Sequence, residues 1–214
     1  MPRLAFALAL LWFLALFVVR TLIQWRRTGS TGLRGFHGRV GSLPWTAGAS
    51  VSLGVVLALA APLAAWLGWP GGSLLVSNAP VHGAGAALLV GGTLGALGAQ
   101  LTMGDSWRVG VDESERTALV TTGLFARIRN PIFTFMGLSL LGLIGLVPNA
   151  ASLLGGALAL VGIELQVRFV EEPWLARTHG AHYRAYAART GRFLPGIGRI
   201  DEQDLRESER VARG

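Results

Sequence analysis

The chain has 214 residues, of which 51% are hydrophobic and only 14% charged, and its mean hydropathy is +0.49. A charged fraction so far below the roughly 25% of soluble domains excludes an ordinary water-soluble globule and points to a membrane protein. The net charge of +7 comes with no zinc-finger spacing and no basic run interleaved with aromatics, so nucleic acid is not an expected partner; the lack of cysteine excludes disulfides and thiolate chemistry.

A bilayer core of about 30 Å needs some 20 apolar residues per helix. Residues 4–23 meet this, broken only by Arg20 near one end. More basic charge follows this segment (Arg20, Arg26, Arg27) than precedes it (Arg3), which predicts an uncleaved anchor with its C-terminal end in the cytoplasm. Residues 24–44 carry Arg26, Arg27, Arg34 and Arg39 and are expected inside. Residues 45–69 form a second span and 81–103 a third, neither holding a charge, with an uncharged outer loop at 70–80 between them. Within the third, Gly91 and Gly95 make a G-x-x-x-G pattern that predicts helix packing. The loop 102–130 carries Arg108, Arg116, Arg127 and Arg129 and is expected inside. Residues 132–147 are a shorter fourth span. Residues 150–170 are a fifth, holding Glu164 and Arg168, and Pro148-Asn149 leaves room for only a tight hairpin between the two. After Glu171 the chain reads as a surface helix to about Thr190, with Pro173 either kinking the fifth span or starting a new helix. The polar end 201–214 reads as disordered. The expectation is an all-α integral membrane bundle of about five transmembrane helices with a cytoplasmic C-terminal helix. Residues 1–200 form a single domain and the N-terminus lies outside.

Antiparallel pairing of the fourth and fifth spans makes their inner ends neighbours. Arg129 and Asn130 precede the fourth and Glu171 and Glu172 follow the fifth, so an arginine and an amide meet two carboxylates at one membrane face. Charged groups beside lipid are costly and mark functional sites, although a structural ion pair is an equal reading of this cluster. Glu164, Arg168 and Glu172 recur at four-residue spacing on one helix face, and Glu164 reads as a wall or counter-charge. His37 and His82 fall on opposite sides of the membrane. His179 and His182 lack a second chelating pair, so they read as surface residues and no metal is expected.

The motifs run in a fixed order. Met103-Gly104-Asp105-Ser106-Trp107-Arg108 comes first, then Gly123-Leu124-Phe125, then Arg129-Asn130-Pro131-Ile132-Phe133. After the hairpin come Glu171-Glu172-Pro173-Trp174-Leu175, Gly180-Ala181-His182-Tyr183-Arg184-Ala185-Tyr186, and Arg192-Phe193-Leu194-Pro195. This resembles the isoprenylcysteine carboxyl methyltransferase family of membrane enzymes, with its bacterial relatives and the phospholipid N-methyltransferases, over about residues 85–198. The resemblance implies S-adenosyl-L-methionine as methyl donor and a lipophilic or lipid-like acceptor. It further implies a cytoplasmic pocket closed by the C-terminal helix, in a bacterial inner membrane. Carried onto this chain, it implies catalytic roles for Arg129 and Glu172. It also implies donor-binding roles for Asn130, Pro131, Glu171, Glu172, Tyr183, Tyr186 and Arg192. Asn130 stands where many members have histidine, and Phe133 where tyrosine is usual. An amide binds but does not take a proton at neutral pH. The rival readings are an NADPH-dependent reductase similar to the sterol reductases and a non-enzymatic membrane scaffold. The acceptor and the oligomeric state stay open.

Overall fold

The structure, a computed structural model, describes residues 1–33, 38–69, 72–107 and 118–200. Arg34, His37, Arg108, Arg116 and the tail 201–214 therefore lie outside the described residues. The described part is nearly all helical and has no strands, in keeping with the all-α membrane bundle expected from hydropathy.

The first span is one continuous helix: α1 (Pro2–Phe13), a π-helical stretch (Leu14–Val19) and α2 (Arg20–Thr28), ended by Gly29 at φ 73°. Glycine takes that left-handed cap at no steric cost. The second and third spans are α3 (Leu43–Trp66) and α4 (Ala79–Met103). α4 is capped by Asn78, whose side chain accepts from the Val81 N–H at 3.0 Å. α5 (Pro131–Leu146) begins with proline at its first position, where the missing N–H costs nothing. Its 16 residues span only about 24 Å, less than a bilayer core. It is instead well enclosed, with Met136, Leu140, Leu143 and Leu146 all in the apolar core. α6 (Ala150–Gln166) follows the expected tight hairpin and is capped by Asn149, which accepts from Ser152 N–H at 2.9 Å.

The helices pair as α4 with α5 and α3 with α6, and glycine sets both contacts. A Cβ at Gly85 would sit 2.7 Å from the Gly142 carbonyl oxygen, and one at Gly54 would sit 2.6 Å from the Ala159 nitrogen. Such approaches let backbones pack where lipid tails give no hydrophobic drive between helices. The G-x-x-x-G expectation is corrected in part. Gly95 meets the Phe135 ring, but Gly91 faces open space, and Gly92 packs on Phe135 and Ser139 in its place. The packed face runs through 85, 92, 96 and 99, a 3.6-residue period that leaves 91 on the lipid side.

The fifth span does not end at Val170. It continues through a π-helical stretch (Val167–Glu171) into α7 (Glu172–His179), as one apolar helix from Ala150 to His179. Pro173 has no N–H to give to residue 169. Widening the turn, with the Glu172 N–H bonded to Val167 O five residues back, carries the helix past it without a break. Gly180, at φ 54°, then turns the chain into α8 (Ala181–Arg189). Among the described residues, four helices are long and apolar enough to cross a membrane, and α5 is a shorter apolar helix.

Candidate active site

The chain beyond α8 is laid across the start of α5. Arg129 N–H donates to Gly191 O at 2.8 Å and Asn130 N–H to Arg192 O at 3.1 Å. The Asn130 amide reaches the same Arg192 carbonyl at 3.3 Å, and Thr134 Oγ1 donates to Phe193 O at 2.8 Å. Gly191 is required in this strap, since an added Cβ would overlap the Leu194 carbonyl oxygen.

Beneath the strap is a buried charge array. Arg129 gives its Nε and Nη2 to Glu172 Oε1 at 3.2 and 2.8 Å. Its other N–H groups go to the carbonyls of Ala187 (3.1 Å), Thr190 and Gly198 (2.8 Å), so all five donors have acceptors within the protein. Arg192 grips the same carboxylate from the other side, through Nε at 2.9 and 3.1 Å and Nη2 at 2.8 Å. The side chains of Arg129 and Glu172 are only 2% and 3% exposed. Burial works against the charge of Arg192, and the hydrogen bonds and negative charge of Glu172 outweigh it, so its pKa lies above the usual value. Glu164 extends the array outward. It is 40% exposed, pairs with Arg168 at 2.7 Å and lies 3.8 Å from Arg192, without lining the cavity.

In front of this array is a cavity of ≈ 400 Å³, within the range of small-molecule sites. Its polar wall includes Arg129, Asn130, Glu171, His179, Tyr183 and Tyr186. Its apolar wall includes Phe17, Val51, Met103, Phe133, Met136 and Leu175. Tyr186 is fixed by donating to Phe125 O at 2.6 Å, and burial pushes its phenol up to about 12 against the pull of Arg129. Tyr183 is 1% exposed, and its hydroxyl has no hydrogen-bond partner. Burial, with the Glu172 charge adding to it, raises that phenol well above its usual value. A buried orphan hydroxyl is costly; here it belongs to a residue that lines a cavity of ligand size.

The residues singled out in the sequence thus divide into two sets. Arg129, Asn130, Glu171, Tyr183 and Tyr186 line the cavity, while Glu172, Arg192 and the buried Pro131 stand behind its wall. His179, expected at the surface, is corrected to a half-buried position on the cavity wall, edge-on to Trp174 at 6.3 Å. Past Gly180 the chain turns into α8, whose Tyr183 and Tyr186 line the same cavity. Among the described residues no His, Asp and Glu group could hold a metal. Several lining residues had no signal in the sequence: Phe17 and Val51 on the first two spans read only as apolar, and Gln100 as one amide in a span.

These features define a polytopic helical membrane protein with a half-polar, half-apolar internal site at one end of the bundle. Residues 81–182 match the phospholipid methyltransferase family, a segment holding the first four of the six motifs. The fold is similar to that of a eukaryotic intramembrane Ras methyltransferase, an isoprenylcysteine carboxyl methyltransferase, with a TM-score of 0.55 and 19% identity. That likeness covers 88% of this chain and 63% of the other, so this chain spans under two thirds of its length. No curated protein matches the sequence. The family match and the shared fold bear out the resemblance to the membrane methyltransferases of the phospholipid and isoprenylcysteine carboxyl types.

Proposed function

We propose that the protein transfers a methyl group from S-adenosyl-L-methionine to a lipophilic acceptor at the cytoplasmic face of the membrane, within a single catalytic domain over residues 1–200. The observation that carries this reading is the cavity itself. One wall offers a carboxylate, an amide and two phenols; the other is built from membrane-spanning helices. Such a space suits a water-soluble charged donor meeting an acceptor that arrives from lipid. The orphan hydroxyl of Tyr183 supports the fit of a polar ligand.

When bound, the donor's sulfonium supplies an electrophilic methyl group. Glu171 is the carboxylate on the cavity wall and takes the role of holding the donor's ammonium group. Tyr183 and Asn130 supply neutral hydrogen bonds. Arg129 already gives every N–H to the protein, so its part is to hold Glu172 and the strap in place. Glu172 and Arg192 act as the buried clamp behind the wall. In-line displacement gains mainly from alignment and exclusion of water, which an enclosed cavity and a docked strap provide. A carboxylate or thiolate acceptor needs no base. An amine must lose a proton, and Asn130 cannot take it.

Purified protein in detergent is titrated with S-adenosylmethionine, S-adenosylhomocysteine and NADPH. Binding of the first two in the micromolar range is expected. Binding of NADPH alone would transfer the site to a reductase, and no binding of any of them would favour a scaffold.

A further inference from the structure

The first span carries a charge that the reaction above does not use. Arg20 directly follows the π-helical stretch Leu14–Val19 and is 1% exposed. A guanidinium within an apolar bundle is costly unless its charge is met. Among the described residues no carboxylate forms an ion pair with it; the nearby Asp105 pairs with Arg27 at 3.9 Å. Its charge is met only in part, since Nε and Nη1 are buried without an acceptor. Nη2 donates to Gly104 O at 2.6 Å, and the guanidinium carbon lies 4.5 Å from the centroid of the Trp107 ring. Two amides bracket this contact. Gln24 Nε2 donates to Asp105 O at 2.8 Å, and Gln100 Nε2 donates to Leu16 O at 3.1 Å. These bonds tie the π-helical stretch and α2 to the end of α4 and the 3-10 turn leading to Trp107. Gly32 closes on the same ring, since a Cβ there would lie 3.2 Å from it.

Trp107 is 2% exposed and lines the cavity, next in sequence to Ser106 and close to Met103, which also line it. Arg20 itself does not line it. We propose that Arg20 is a positioning residue: it stacks on Trp107 and fixes that ring as the wall between the first span and the cavity. A charge is kept inside the bilayer-spanning helix because a planar cation holds both a carbonyl and an aromatic face, which an ammonium does less well. The wall it sets lies with Phe17 and Met103, on the apolar side, and so bears on the acceptor. That last step rests on the methyltransferase reading; the hold of Arg20 on Trp107 does not.

The test uses the full chain in detergent, labelled with 5-fluorotryptophan and observed by fluorine NMR. Trp107→Phe identifies the Trp107 line. Arg20→Met is expected to shift that line and leave the other tryptophans in place, and Arg20→Lys to shift it less. Should Arg20→Met not fold, the Lys variant and Arg20→Gln give the same comparison. In parallel, methyl transfer from labelled S-adenosylmethionine into a total polar lipid extract is followed at saturating donor. Turnover should fall about tenfold in Arg20→Met, the loss of one desolvated cation–ring contact, with S-adenosylhomocysteine affinity within about twofold. An unmoved Trp107 line overturns the proposal. A moved line with unchanged turnover overturns the positioning role in the reaction. If wild-type protein binds no S-adenosylhomocysteine, the methyltransferase reading fails, and the Trp107 line alone decides whether Arg20 holds the ring.

Discussion

Glu172→Gln is the sharpest probe of the site. The carboxylate receives N–H groups from Arg129 and Arg192, and the carboxylate and the Arg129 side chain are almost wholly buried. The amide keeps the shape and one acceptor but places an NH₂ against guanidinium donors and leaves two positive charges unmatched. Removing one partner of a buried ion pair costs about 3–5 kcal/mol. For a chain of this size that corresponds to a fall in Tm of about 6–20 °C. The loss should centre on the strap, since Arg129 also holds the carbonyls of Ala187 and Gly198. Thermal unfolding in detergent gives the first number, and hydrogen exchange over residues 187–198 tells whether the strap loosens first. Comparing Glu172→Gln, Arg129→Gln and the double variant gives a coupling energy, expected above about 1.5 kcal/mol. A Tm within about 2 °C of wild type, or additive single losses, would refute the view that this array locks the strap.

Other perturbations follow from the same geometry. The chain has two tyrosines, so alkaline absorbance titration reads Tyr183 and Tyr186 alone. With Tyr186 at about 12, above the unfolded value near 10, its stabilisation is complete below about pH 10 and lost as pH rises to about 12. A phenol ionising at its ordinary pH, or a Tyr186→Phe variant with unchanged alkaline stability, would contradict this. Gly85→Ala places a Cβ 2.7 Å from the Gly142 carbonyl oxygen and should cost about 1–3 kcal/mol. Gly91→Ala meets nothing and should be neutral or slightly stabilising by unfolding assay, so equal effects would discard the assigned packing face. Glu164→Gln removes a half-exposed charge and should cost under about 1 kcal/mol in the same assay, with a larger loss marking Glu164 as part of the buried clamp.

Hydropathy alone made the bundle legible, because an apolar run of bilayer length has few alternatives. The meeting of Arg129 with Glu172 was legible for a topological reason: Pro148-Asn149 leaves no loop, so the far ends of two antiparallel helices must coincide. Which carboxylate faces the cavity was not legible. Glu171 and Glu172 are adjacent, and the π-helical stretch forced by Pro173 decides which turns inward. The contribution of the first two spans was hidden for another reason. Phe17 and Val51 look like any lipid-facing residue until their helices are placed, and a lone Arg20 near a span end reads as a topology signal. The position of His179 on the cavity wall has no periodic pattern in the sequence to announce it.

The separation of the charges has a consequence for the chemistry proposed. A sulfonium donor loses its positive charge as the methyl group leaves, so a dense positive surface around it would bias binding against the reactant. Arg129 and Arg192 are held by one buried carboxylate, and Arg129 is also committed to carbonyls. Of the polar groups on the cavity wall, Asn130, Tyr183 and Tyr186 are neutral, with burial keeping both phenols un-ionised. The same wall also carries the carboxylate of Glu171 and the imidazole of His179. On the proposed reading Glu171 holds the donor, so the candidate base for an acceptor that must be deprotonated is His179, away from the position that the related motif gives to histidine. The loss of that histidine to Asn130 thus need not limit the chain to acceptors that are already anionic, because the fold brings another imidazole to the same cavity from the far side of Pro173.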